Sequence, residues 1–252
     1  MNPRASIDLN ADVGEGCGHD EELVPLVSSV NIACGAHAGD LATMKRTVEL
    51  ALRHGAAIGA HPGFADRANF GRREISVTPR EAAELVVEQT LRLEGIAVRL
   101  GGLLRHVKLH GALYNMASRD AALARAVARA LLEASASRAA GWVLVALAGS
   151  RLLQAGRALG MQVMSEAFAD RAYLPGGALA PRGDPGAVIA DEEIAAEQAA
   201  RLAREGVIRA TDGTDVRVEV DTICIHGDNP GSASLALRIR KRLADNGINV
   251  SC

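Results

Sequence analysis

The chain has 252 residues, 48% of them hydrophobic, enough to bury a large core as one α/β barrel or as two small domains. A formal charge of −2 argues against nucleic acid and against an anionic membrane surface. Six aromatics (Phe64, Phe70, Tyr114, Trp142, Phe168, Tyr173) leave few platforms on which bases could stack.

The N-terminus MNPRASIDLNADVGEG lacks the apolar core of a signal peptide, and no apolar run reaches the roughly 18 residues of a membrane span. Cys17, Cys34, Cys224 and Cys252 show no CxxC spacing and read as reduced thiols, so a cytoplasmic protein is expected. Seven short apolar segments alternate with longer helical patterns, the signature of βα units building a parallel sheet. The strands are expected near Ser6–Ala11, Val30–Cys34, Ala56–Ala60, Leu104–Leu109, Trp142–Ala148, Met161–Glu166 and Asp221–Ile225. Helices are expected near Gly39–Arg53, from Thr78 to Gly95, and near Arg119–Glu133, Ser150–Leu159, Asp191–Arg204 and Ser232–Asp245. Thr78-Pro79-Arg80-Glu81 is a capping box with proline at the first helical position, and Gly95 is read as that helix's stop.

Two long Gly/Pro/Arg-rich connections, Phe64–Glu74 and Ala167–Gly186, interrupt the rhythm, as functional loops do. Val207–Val220 reads as a hairpin around Asp212-Gly213. With no linker and no internal repeat, residues 1–252 are expected to form one domain. Seven βα units suggest a TIM-like barrel short by one strand, with an open doubly wound sheet as the alternative. Both architectures build their sites where strands run out at their carboxyl ends.

Histidines recur at those strand ends, in NIACGAHAGD, IGAHPG, VKLHGALYN and CIHGDNPG. Side chains alternate along a strand, so Asp8, Asn10 and Asp12 share one face, His106, Lys108 and His110 another, and Cys224 and His226 a third, with Asp228 following. Polar faces at matching parity point to a polar funnel, because unpaired buried charge is very costly. Lys108, one of three lysines, sits between Val107 and Leu109. Either it pairs with Asp8 or Asp12, or desolvation lowers its pKa and it acts on a substrate.

A single buried histidine is more often a hydrogen-bonded core residue than a catalyst; four at strand ends weaken that reading. His54, before Gly55, reads as a helix C-terminal charge, and His19 either closes over the site or caps a short helix. Glu15 joins Asp12 as a positioning carboxylate, with turn chemistry as the bland alternative. Glu166 sits at a strand end, ahead of Asp170, Arg171 and Tyr173 in rank. Arg72 and Arg73 could grip a carboxylate or phosphate, or form a solvated face. No G-x-x-x-x-G-K-[ST] loop, G-x-G-x-x-G turn, G-x-S-x-G elbow or H-E-x-x-H helix occurs. An Asp with two His could hold a divalent metal, which the sequence leaves open.

Taken together, DLNADVGEG, SSVNIACGAHAGD, IGAHPGFADRANFGRRE, HVKLHGALYN, SEAFADRAY and ICIHGD resemble the LamB/YcsF family from about Ser6 to Leu243. Leu109, Leu41 and Cys17 depart from the family pattern, and none replaces a polar site candidate. The resemblance implies a (β/α)7 barrel of the glycoside hydrolase/deacetylase type. It also implies the A subunit of an enzyme opening 5-oxo-L-proline to L-glutamate, with ATP used through partner subunits B and C. On that reading Asp12 is the base, oriented by His61, Lys108 is the electrostatic group, and His110 or His226 is the acid. Asn10, Glu15, His37, Arg72, Arg73, Glu166 and Asp228 surround the substrate. The alternatives are a metal-dependent amide or N-acetyl hydrolase acting alone through Asp12, His37 and His61, and a non-catalytic lactam-binding subunit.

Overall fold

A computed structural model describes residues 5–139 and 141–252. Seven parallel strands close into a barrel: β1 (Ser6–Val13), β2 (Ser29–Ala33), β3 (Ala57–His61), β4 (Leu104–Lys108), β5 (Val143–Leu147), β6 (Val163–Phe168) and, after the small hairpin β7 (Val207–Arg209) and β8 (Asp215–Arg217), β9 (Thr222–His226). Closure runs through the β1–β9 ladder, which sets Asp8 beside Thr222, Asn10 beside Cys224 and Asp12 beside His226. A two-residue strand β10 (Asn249–Val250) adds to the first residues of β1 outside the ring. The barrel agrees with the seven-strand expectation; the open sheet does not occur.

Helices α1 (Asp20–Leu23), α2 (Leu41–His54), α3 (Pro79–Arg99), α4 (Gly111–Arg119), α5 (Ala121–Ser135), α6 (Arg151–Ala158), α7 (Glu192–Glu205) and α8 (Ser232–Asp245) surround the strands. Alternate strand residues Ile7, Leu9, Ala11 and Val13 face these helices and are buried with Val48, Ile96, Leu131 and Ile239 in a continuous apolar layer. Local signals fix the helix ends. Asp40 accepts from the Thr43 amide, Asp120 from Ala122 and Leu123, Ser150 from Leu153, and Asp191 from Glu193 and Ile194. The Thr78–Glu81 capping box forms as expected. Gly55, in left-handed conformation at φ 69°, ends α2 next to His54.

One expectation changes, and two elements appear that the sequence reading did not contain. Gly95 does not stop α3, which continues to Arg99 because Ile96 and Ala97 are buried against the barrel. Helix α4 begins directly after His110 and was not anticipated, and Asp120 closes it while capping α5. The two residues of β10 are too short to carry a pattern. His19 precedes α1 without a side-chain capping bond.

Candidate active site

The interior of the barrel is polar in layers, where such barrels normally pack branched apolar side chains. In the lowest layer Asp8 accepts from Ser28, Ser29 and Thr222 hydroxyls at 2.7, 2.8 and 2.5 Å. Burial pushes the Asp8 pKa up, against the pull of these donors. Above it the Asn31 amide donates to Asn10 Oδ1 (2.7 Å) and Asp12 Oδ1 (2.8 Å), and His106 Nε2 donates to Asn31 Oδ1 (2.9 Å). Burial drives His106 down to about 3, so its ring is neutral. Gly59 lies opposite His106 across the β3–β4 ladder, and a Cβ there would come 2.0 Å from His106 Nε2. The sequence IGAHPG thus needs its first glycine to admit an imidazole from the next strand.

Lys108 holds the centre. Its ammonium lies 2.9 Å from Asp12 Oδ1, 2.7 Å from Glu166 Oε1, 3.3 Å from Asn10 Oδ1 and 3.0 Å from Cys224 Sγ, at 2% exposure. Burial works against this charge, but Asp12, Cys224 and Glu166 outweigh it and hold the Lys108 pKa well above the usual lysine range. Of the two readings of Lys108, pairing is observed, with Asp12 and not Asp8. The desolvated, low-pKa lysine is corrected, because a two-carboxylate cage more than offsets burial. Tyr114 OH donates to Glu166 Oε2 (2.6 Å), completing the cage, and Phe168 lies under the ammonium with its ring centroid 5.2 Å away.

The upper layer opens into a cleft of about 580 Å³ lined by Asp12, His61, Lys108, His110, His226, Arg72, Arg182 and Tyr114, with Phe168 and the Gly176–Gly183 stretch forming one side. Asp12 is buried, which favours its neutral form, yet His61 and Lys108 hold it well below the ordinary carboxylate range. Its Oδ2 lies 3.4 Å from His61 Nε2. His226 Nδ1 sits 3.0 Å from Asp170 Oδ2, and the imidazole stacks on Phe168 at 5.4 Å between centroids. Asp170 is likewise depressed despite burial, chiefly by His226. At the mouth Asp228 Oδ2 accepts from Arg72 (2.5 Å) and Arg182 (3.1 Å), joining the two long loops flagged in the sequence.

Of the expected site residues, Asp12, His61, Lys108, His110, His226 and Arg72 line the cleft. Asn10 and Glu166 do not line the cleft and lie beneath it, at 1% and 0% exposure, against the Lys108 ammonium. Arg73 does not line the cleft: it turns outward and lies 3.6 Å from Asp66, with its side chain 68% exposed. Glu15 and His37 stand behind His110, and Asp228 braces the two arginines. The trio Asp12, His37 and His61 is not a compact metal set: His37 stacks on His110 at 3.7 Å, while its ring centre is 5.7 Å from that of His61. Sequence reasoning passed over Asn31, whose polar side chain inside an apolar strand was a usable signal. It ranked Asp170 below Glu166, although only Asp170 reaches a cleft histidine. Arg182 carried no signal beyond its place in a long loop.

A model of the LamB/YcsF family matches residues 7–252. A protein from Geobacillus kaustophilus, named as the A subunit of 5-oxoprolinase, is 49% identical over 249 residues, covering 97% of this chain and 96% of that one. Another of that name, from Bordetella parapertussis, is 48% identical over 255 residues, covering 99% of both chains. The crystal structure of the lactam utilization protein from Thermus thermophilus superposes with a TM-score of 0.89 at 44% identity, covering 98% of this chain and 99% of that one. A family 4 carbohydrate esterase from Streptomyces lividans aligns at TM-score 0.52 and 11% identity over 98% of this chain and 92% of that one, a likeness of fold alone.

Proposed function

The chain belongs to the LamB/YcsF family, and from that premise we propose that it is the A subunit of a 5-oxoprolinase, opening the lactam of 5-oxo-L-proline to L-glutamate. The observation that carries this reading is the cleft itself: a charged pair, three imidazoles and two arginines converge over a floor locked by Lys108. An unstrained five-membered lactam is a poor electrophile. Its hydrolysis needs an activated water, a stabiliser for negative charge on the carbonyl oxygen, and a proton for the departing ring nitrogen.

We assign these tasks from chemistry. The low pKa of Asp12 makes it a weak base, which revises the role read from sequence; its place is to anchor Lys108 and orient His61. His226 activates water, because Asp170 holds Nδ1 and leaves Nε2 as the reactive nitrogen, the same logic by which a carboxylate orients a catalytic imidazole elsewhere. Lys108 and its dipolar surroundings stabilise the developing oxyanion. His226, having taken a proton from water, passes it to the departing ring nitrogen, and Arg72 with Arg182 binds the substrate carboxylate at the mouth.

ATP enters through partner subunits B and C, which activate the lactam oxygen; the absence of a phosphate-binding loop in this sequence fits that division of labour. We place the complex in the cytoplasm, in keeping with four unpaired cysteines. Among the described residues no helix is long and apolar enough to cross a membrane.

Reconstitution of this chain with B and C, following glutamate release from 5-oxoproline with and without ATP, tests the reading. Glutamate formation only with all three subunits and ATP is expected. Glutamate from this chain alone without ATP would favour the self-sufficient hydrolase, and none under any condition would remove the assignment. Full activity of a complex carrying His226→Gln would instead make the chain a binding subunit.

A further inference from the structure

Behind the inner wall of the cleft five electron-pair-bearing atoms stand in a row. Asp12 Oδ2 lies 3.4 Å from His61 Nε2, which is 3.0 Å from His110 Nδ1; that nitrogen is 3.3 Å from Glu15 Oε1, itself 3.4 Å from His37 Nε2. The outer nitrogens fix the tautomers. His61 Nδ1 is 2.9 Å from the Lys108 carbonyl and His110 Nε2 is 2.8 Å from the Phe70 carbonyl. A carbonyl only accepts, so these nitrogens carry the protons, and in the neutral rings His61 Nε2 and His110 Nδ1 turn bare lone pairs on each other. Two lone pairs at 3.0 Å repel unless a positive centre joins them.

The end of the row is emptier still. Glu15 Oε1 and both nitrogens of His37 are buried with no hydrogen-bond partner, though His37 is 1% exposed and Glu15 is 9% exposed. A buried polar group left without a partner is destabilising, so the site as it stands calls for one. Glu15, His37 and His110 each offer one donor atom within 4.8 Å of the others. Atoms bound at about 2.0–2.2 Å to one metal ion stand roughly 3.0–3.6 Å apart, and the spacings along the row agree with that.

We propose that Glu15, His37 and His110 form a binding site for a divalent transition-metal ion, with His61 Nε2 beside it. Two imidazoles and a carboxylate suit zinc and cobalt better than magnesium or calcium. Burial drives His37 to about 3, keeping it in the neutral form that coordinates. Burial, with Asp12 and Asp228 nearby, raises Glu15 well above the usual carboxylate range, so a bound metal ion would displace the Glu15 proton. The His37 and His110 rings are parallel within 1°, so one must tilt for both to reach a common ion. His37, with neither nitrogen bonded, is the ring free to turn. The other convergence of donor types, Asp12, Cys224 and His226, is different: the Lys108 ammonium already fills it, 2.9 Å from Asp12 Oδ1 and 3.0 Å from Cys224 Sγ. The proposal stands apart from which lactam the enzyme opens.

The test uses untagged full-length chain, stripped with chelator and titrated with Co²⁺, followed by visible ligand-field bands and by calorimetric competition with Zn²⁺. One ion per chain with imidazole-type bands is expected. His37→Ala and Glu15→Gln, each checked for a native circular dichroism spectrum and melting curve, should weaken Co²⁺ binding by about 10²-fold or more, while Cys224→Ser should leave it unchanged. No saturable Co²⁺ binding by the wild-type chain overturns the proposal and leaves protons as the positive charge in the row. Binding undiminished in both ligand variants, or abolished by Cys224→Ser, overturns it equally.

Discussion

His226 and Asp170 carry the sharpest residue-level expectation. Asp170 holds Nδ1 of His226 and does not line the cleft, so it acts through the ring. Asp170→Asn should lower kcat by about 10²-fold with little change in KM, because general acid–base catalysis of this kind contributes about 10²–10⁴-fold. Steady-state kinetics of the reconstituted complex checks it; a rise in KM at unchanged kcat would place Asp170 in binding instead. Lys108 belongs to stability as much as to chemistry. Lys108→Met strands Asp12 and Glu166 without a counter-charge in the barrel interior, and breaking a buried pair in this way costs about 3–5 kcal/mol. Denaturant unfolding at neutral pH should show that loss. Gly59→Ala should also destabilise, by roughly 1–3 kcal/mol, because the new methyl overlaps the His106 ring, itself fixed to Asn31.

At the scale of elements, α3 offers a prediction in the other direction. Gly95 is interior to the helix, and a Cβ there would meet only Arg99 Nη1 at 3.6 Å. Gly95→Ala should therefore stabilise by about 0.5–1 kcal/mol, seen as a higher denaturant midpoint with unchanged slope. The same residue shows what the sequence conceals. A glycine after a long amphipathic run looks like a stop, and only the burial of Ile96 and Ala97 against β3 and β4 explains why the helix continues. The seven barrel strands were legible because apolar runs of strand length recur between capped helices, and Thr78-Pro79-Arg80-Glu81 specified its cap unaided. Helix α4 was not legible, since GALYNMASR follows a strand end with no intervening turn signal and meets α5 at Asp120. Parity along β1, β4 and β9 placed Asp12, Lys108 and His226 on one interior face. Depth was beyond its reach: parity cannot tell that Glu166 lies under the floor while Asp170, four residues on, stands at cleft level, nor that Arg73 turns away from Arg72.

At the scale of the whole molecule, the polar interior is built from every barrel strand except β5, whose Val145 faces Lys108 across the ladder. Charge burial in the floor is tolerated because Asp8, Asp12, Lys108 and Glu166 are each answered by groups from distant segments, so the site and the closed ring depend on each other. The outer end of the barrel is sealed differently. Asn249 donates to the Ala5 carbonyl and Ser251 to that of Ile7, so the last strand is stitched alongside the first, on the side away from the histidines. The described ends of the polypeptide are therefore neighbours, and a circular permutant that joins them through a short flexible segment and reopens the chain at Gly160, a turn with open space around it, should refold to the same barrel and melt cooperatively.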